Sequence, residues 1–323
     1  MLLPHSSFRI LNTEPGRLSQ EARLALRKLA RVDEVEADRL YLLENIHKYH
    51  GLFIGLRNLI DRDVLDKAEL LRCIVTPTTG LNHIDMAFSE AKGVKVLSLR
   101  GETEFLSTVS ATAELAWGML LALVRKIPTA NQSVMMGEWV RDNFYGNELR
   151  GRTLGILGFG RLGRMLSAYG QAFGMKVLSH DIRSVSVVDV ESVGLTELLE
   201  RSDVISVNLA LNDETRGMLG REEFLRVKQG AFLLNTARGE ILDEDALLES
   251  LLTGRLAGAA LDVMAGETSG NQNWLKESNL HAYARDHSNL LITPHIGGVT
   301  YESVEKTNHF IIEKLANYLR NFS

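Results

Sequence analysis

Short apolar runs alternate with amphipathic stretches along most of the chain. In the first hundred residues Phe8–Leu11, Leu52–Leu56, Cys73–Thr76 and Val94–Leu99 read as strands. Glu21–Leu29, Asp63–Leu71 and the stretch around Ile84–Lys92 read as helices between them. Such alternation predicts a parallel sheet covered on both faces. From Ser107 to about Met136 the pattern is helical, with Leu115, Met119, Ala122 and Leu123 along one face, and Gly137 to Leu149 is less periodic. A second alternating series follows, with strands at Thr153–Leu157, Lys176–His180, Asp203–Leu209, Ala231–Asn235 and Ala257–Leu261 and a helix at Arg161–Phe173. Residues 301–322 predict a last amphipathic helix, with Thr300 as N-cap and Val304, Ile311, Leu315, Tyr318 and Phe322 on one face. No strand follows it, so it is expected to dock back on the N-terminal unit. The pattern predicts an α/β protein of two doubly wound parallel sheets, one discontinuous domain of residues 1–100 and 291–323 and another of 101–290.

Composition narrows the function classes. Of 323 residues, 45% are apolar and 24% charged, which excludes disorder as the main state. Thirty-six basic residues against 41 acidic ones leave a net charge of −5, which argues against a broad nucleic-acid-binding surface. The single cysteine, Cys73, makes neither an internal disulfide nor a multi-cysteine metal site, and it reads as a small core residue. The longest apolar or small run, Leu115–Val124, is about half of the roughly 20 residues a bilayer needs. Met1-Leu2-Leu3-Pro4-His5 lacks the charged head and apolar run of a signal peptide. A cytoplasmic protein without metal, membrane or nucleic-acid partner is expected.

Gly158-Phe159-Gly160-Arg161-Leu162-Gly163 fits G-x-G-x-x-G, follows the strand ending at Leu157 and opens a helix. That context is what a dinucleotide loop requires. The first glycine permits the tight turn, the second lets the backbone approach a pyrophosphate, and the third lets helix and strand pack closely. The free N–H groups of the helix start favour the anion. Asp181 closes the next strand, 18 residues after Gly163, where a carboxylate accepts hydrogen bonds from ribose hydroxyls and repels a 2′-phosphate. NAD is therefore favoured over NADP, with Arg183 two residues on as the opposing sign.

Three further segments carry chemistry: Leu234-Asn235-Thr236-Ala237-Arg238-Gly239, Leu261-Asp262-Val263 with Glu267, and Thr293-Pro294-His295-Ile296-Gly297-Gly298. With Thr79-Gly80-Leu81-Asn82-His83-Ile84-Asp85, Thr112-Ala113-Glu114 and Ser202-Asp203-Val204-Ile205, they resemble the D-2-hydroxyacid dehydrogenase family, from about residue 50 to about 305. The residue types suit hydride transfer at C2 of a 2-keto acid. An arginine fork (Arg238) can clamp carboxylate and keto oxygen. An imidazole (His295), which ordinarily titrates near pH ~6.5, can exchange the hydroxyl proton. A glutamate (Glu267) on the far ring nitrogen would fix the tautomer and stabilise the imidazolium.

The resemblance implies a Rossmann cofactor domain at 101–290, a flavodoxin-like substrate domain from the two terminal segments, and an active site in the cleft. It also implies that backbone N–H groups of Thr79, Gly80 and Leu81 hold the substrate carboxylate. Thr112, Asn208, Thr215, Thr236 and Asp262 are implied to line the cofactor site beside the Gly158–Gly163 loop and Asp181. A homodimer built largely from the 110–136 helix is implied, with Trp117 on its apolar face. Departures are Asn208-Leu209-Ala210-Leu211 in place of the usual His-x-Pro-Leu, and Thr268 after Glu267 where proline is usual. The length predicts a short form without the regulatory domain of some phosphoglycerate dehydrogenases. The implied substrates are 3-phosphoglycerate, glyoxylate or hydroxypyruvate. Phosphite oxidation and a non-catalytic NAD(H)-sensing regulator are the alternatives.

Overall fold

In the computed structural model, which describes residues 8–267, 271 and 273–320, the chain divides into two α/β units. One comprises Met1–Thr108 with Val299–Ser323, the other Val109–Gly298. The readings placed on Met1–His5, Thr268 and Phe322 lie outside the described residues.

The smaller unit runs β1 (Arg9–Asn12), α1 (Gln20–Leu29), β2 (Arg31–Glu34), α2 (Arg39–Asn45), β3 (Gly51–Phe53), α3 (Arg62–Lys67), β4 (Cys73–Val75), α4 (Met86–Ala91), β5 (Lys95–Leu97) and α5 (Thr103–Ser107). Its five strands are parallel in the flavodoxin-like order β2-β1-β3-β4-β5. Alternation along β1 sends Ile10 to one face, with Leu26 of α1 and Leu106 of α5, and Leu11 to the other, with Leu42 and Val64 of α2 and α3. Leu106 explains why this unit extends past the residue-100 boundary read from the sequence: α5 is part of its core. Cys73 is buried on the first face, and burial pushes its thiol up to about 12, as a core residue requires.

The larger unit begins with α6 (Ala111–Val124) and α7 (Ile127–Met135). These replace the single long helix expected over 107–136. The chain turns at Lys126 (φ 53°), and Pro128 stands in the first turn of α7, where a missing N–H costs no helical bond. Then follow β6 (Thr153–Leu157), α8 (Arg161–Ala172), β7 (Lys176–His180), β8 (Val190–Ser192), α9 (Leu195–Arg201) and β9 (Val204–Val207). α10 (Arg221–Arg226), β10 (Ala231–Asn235), α11 (Glu244–Leu252), β11 (Leu256–Leu261), α12 (Trp274–Glu277), α13 (Asn279–Asp286) and β12 (Leu290–Ile292) complete it. Seven parallel strands take the order β12-β11-β10-β9-β6-β7-β8. Pairing of β12 with β11 is why this unit runs to Gly298. Trp117 is buried inside the unit, edge-on to Tyr169 of α8 and to Phe173 just after that helix, so it belongs to this core and not to a free apolar face.

The last helix, α14 (Tyr301–Arg320), packs on α1 in the smaller unit, as its amphipathic pattern predicts. It buries Ile311, Ile312, Leu315 and Leu319, whereas Val304 and Tyr318 flank that stripe half-buried.

Candidate active site

Three adjacent strands of the larger sheet end in the residues singled out for chemistry. Arg238 follows β10, Glu267 follows β11 and His295 follows β12. Carboxyl ends of parallel strands are where α/β sheets place ligands. His295 Nδ1 lies 2.9 Å from Glu267 Oε1 and 3.0 Å from Oε2. Both side chains are mostly buried, at 24% and 17% exposed, so water screens the pair only partly. With Nδ1 occupied by the carboxylate, Nε2 is the nitrogen left for proton exchange.

The backbone at His295 is left-handed (φ 52°), a conformation that side chains other than glycine seldom adopt. Asp262, 1% exposed, sets that turn. Its Oδ1 accepts the Thr293 hydroxyl (2.6 Å) and the Ile296 N–H (2.8 Å), and its Oδ2 accepts the Gly297 N–H (2.8 Å). The His295 N–H donates to the Asp262 carbonyl at 2.9 Å. Thr112 lies against Gly297, where an added Cβ would come within 3.0 Å of its methyl group.

Arg238 is held by its own turn: Asn235 Nδ2 donates to the Arg238 carbonyl (2.8 Å), and Asn235 Oδ1 accepts the Ala237 N–H (3.0 Å). Gly239 has no room for a Cβ, which would sit 2.1 Å from the Ala265 nitrogen. The arginine turn and the segment leading to Glu267 are thus packed backbone to backbone. Glu244, at the start of α11, accepts the Ala265 N–H at 2.7 Å, and burial raises its carboxyl above the usual range. Asn235 and Glu244 are positioning groups to which the sequence reading assigns no role. Asn235 stands inside a quoted motif, but Glu244 lies in an ordinary acidic helix start with no local signal.

The glycine loop occupies the end of β6. Gly158 (φ 88°) faces the Asn208 carbonyl so closely that a Cβ would meet it at 2.7 Å, whereas the space over Gly160 is open to 4 Å. Gly160 is also the N-cap of α8 and offers no side chain to the helix's free N–H groups. Asp181 Oδ2 accepts the Phe159 N–H (2.7 Å) and Oδ1 the Arg183 N–H (2.9 Å), which fixes its carboxylate beside the loop. Arg161 Nη1 donates to the Val109 carbonyl at 2.5 Å, and burial lowers its guanidinium pKa. Leu162 packs against the core formed with α6. Asn208 donates to the Ser206 carbonyl at 3.0 Å, Thr236 is buried, and the half-buried Thr215 closes the 210–215 turn by donating to the Ala210 carbonyl at 2.7 Å. In the smaller unit the Thr78 hydroxyl donates to the Gly80 carbonyl (3.0 Å), and the N–H groups of Thr79, Gly80 and Leu81 meet no acceptor among the described residues.

The sequence pattern described as D-isomer specific 2-hydroxyacid dehydrogenase, NAD binding domain, matches residues 117–297. The chain belongs to the D-isomer specific 2-hydroxyacid dehydrogenase family. It is 32% identical to a hydroxypyruvate reductase of Thermotoga maritima over 88% of each chain. It is 35% identical to the D-3-phosphoglycerate dehydrogenase of Rattus norvegicus over 90% of this chain and 53% of that protein. The chain spans about half the length of that relative. A D-lactate dehydrogenase from Aquifex aeolicus, solved with NAD and lactic acid, superposes with a TM-score of 0.84 at 27% identity, covering 97% of this chain and 96% of that one.

NAD is the cofactor of this dehydrogenase family's binding domain, and the residues present fit it. The open surface over Gly160 and the uncapped start of α8 suit a pyrophosphate. The fixed Asp181 carboxylate keeps lone pairs for ribose hydroxyls.

Proposed function

We propose that the chain is an NAD-dependent oxidoreductase acting at C2 of a small D-2-hydroxy acid or the corresponding 2-keto acid. The observation that carries this reading is the pairing of Glu267 with His295 Nδ1 beside the arginine turn. NAD(H), when bound, supplies or accepts the hydride. In the reductive direction His295 Nε2 delivers a proton to the keto oxygen as the hydroxyl forms. Glu267 holds the ring in the tautomer that leaves Nε2 available and stabilises it while charged. Arg238 grips the substrate carboxylate and keto oxygen with its planar fork, and the N–H groups of Thr79–Leu81 receive the carboxylate. Thr112, Asp262, Asn208, Thr215 and Thr236 belong to the cofactor side, with Asp262 also setting the histidine turn. The names of the relatives support hydroxypyruvate, phosphohydroxypyruvate and pyruvate, and the family resemblance adds glyoxylate, as first substrates to try.

The chain is further proposed to act as a homodimer. Met135, Met136, Trp139 and Tyr145 are all exposed beyond 70%, in α7 and the segment after it. Such a cluster of large apolar side chains marks an interaction surface.

The test of the reaction is NADH oxidation by purified protein against those four keto acids, with His295→Asn beside the wild type. Loss of at least ~10²-fold in kcat is expected for the variant with its best substrate. Turnover near the wild-type rate would remove His295 as the acid/base.

A further inference from the structure

β11 ends at Leu261, and Glu267 stands beyond it on the segment that leaves the sheet. Connecting segments of this kind are ordinarily the more mobile parts of a domain. The residue after Glu267 is threonine, so no proline ring restricts the backbone of the glutamate. The carboxylate must nevertheless stay within hydrogen-bond reach of His295 Nδ1, and a misplacement of ~1 Å at a reacting site can cost on the order of 10²-fold in rate. The fold has to supply that restraint.

Glu244 and Gly239 restrain the segment at Ala265, through the 2.7 Å hydrogen bond and the backbone contact described above. Gly266, next along the chain, is held by a different group. Trp274, the first residue of α12, lays its indole on Gly266, where an added Cβ would come within 2.7 Å of Cε3 and 3.2 Å of Cδ2. The φ of Gly266 is not positive, so the ring, and not the backbone conformation, demands a glycine there. Trp274 is itself half-buried and packs on the core of the larger unit. An indole turns about only two side-chain torsions, so once packed it yields little. The Glu267 N–H donates to the Met264 carbonyl at 3.3 Å, which makes residues 264–267 a single turn. A tilt at Gly266 therefore carries Glu267 with it.

We propose that Trp274 is a positioning residue for the reaction: its indole pins Gly266 and so holds the Glu267 carboxylate against His295. In this role Trp274 acts only through Glu267. The inference rests on the roles proposed above for His295 and Glu267.

The test is a double-mutant cycle on NADH oxidation with the best keto acid, the enzyme being counted as NADH-binding sites. Trp274→Ala is expected to lower kcat about tenfold and to leave KM within about twofold, because the groups that grip the substrate are untouched. Trp274→Phe keeps a flat ring on Gly266 and is expected to bring kcat back to within about threefold of the wild type. In a Glu267→Ala background, Trp274→Ala is expected to change kcat by less than about twofold, since its effect passes through the carboxylate. Melting temperatures show whether the variants fold. If Trp274→Ala does not, Gly266→Ala carries the same cycle, because its methyl group displaces the indole. An equal loss with and without Glu267, a loss in KM alone, or an unchanged kcat in the folded variant makes the tryptophan a packing residue only and overturns the proposal. If His295→Asn abolishes turnover while that happens, the reaction stands and only this inference falls. If the wild type reduces no keto acid, the reaction fails and takes the inference with it.

Discussion

At the scale of single residues, the site depends on one buried aspartate as much as on the groups that meet substrate. Asp262 collects two backbone N–H groups and a hydroxyl, and with them holds His295 in a left-handed turn. Asp262→Ala would leave those donors without their acceptor in a buried setting, so a loss of about 2–3 kcal/mol in stability is expected, read as a lower midpoint in urea. A variant as stable as the wild type would show that the turn holds without the carboxylate. Resemblance alone places Asp262 near the cofactor. Its hold on residues 293–297 depends on a bond pattern across two strand ends, which a linear motif does not display. The Glu267–His295 pair is easier to foresee, because an acid that orients a catalytic imidazole is a familiar chemical requirement.

Among the elements, β6, β7 and β10 have the limits that their apolar runs predict. The strands that the apolar pattern does not announce, β2, β8 and β12, all lie at sheet edges. Edge strands are short and have one neighbour, and β2 (Arg-Val-Asp-Glu) and β8 (Val-Glu-Ser) carry the charges that discourage further pairing. They therefore lack the signal that marks a buried strand. The break between α6 and α7 is legible in Pro128 but masked by the continuous apolar composition around it. Just before β3, His50 joins two elements: its Nδ1 accepts the Arg9 N–H of β1 at 3.2 Å. Burial, then the charges of Arg72 and Arg9, lower its pKa below the ordinary ~6.5. The folded form thus takes up a proton less readily than the unfolded chain. Stability should be constant above that ordinary value, fall as pH drops toward the depressed one, and then level. Melting temperatures between pH ~8 and ~5 should show a shallower acid decline in His50→Gln than in the wild type. Parallel curves would remove His50 as the source.

On the scale of the whole molecule, the apolar side chains left uncovered bear on assembly. Trp139 is 87% exposed, and Met135 and Met136 exceed 70%. Light scattering at micromolar concentration should give twice the chain mass for the wild type and the single chain mass for a Met135→Asp, Trp139→Glu double variant. A wild-type monomer would remove the homodimer. Of the 110–136 stretch to which the sequence reading gives this role, α6 is occupied with its own sheet through Ala116, Trp117 and Leu120, whereas α7 carries the exposed Met135. The course of the chain has a separate consequence, for the order of folding. The core of the smaller unit needs Ile311 and Leu315 of α14 beside Ala22 and Leu26 of α1, although the whole of the larger unit lies between them in sequence. During synthesis α1 emerges early, and α14 follows only after every strand of the larger sheet has been made. The larger unit has all of its own strands before α14 appears, whereas the smaller one must keep part of its apolar face open until then. Contacts so distant in sequence form slowly, so the unit begun first is the one that closes last.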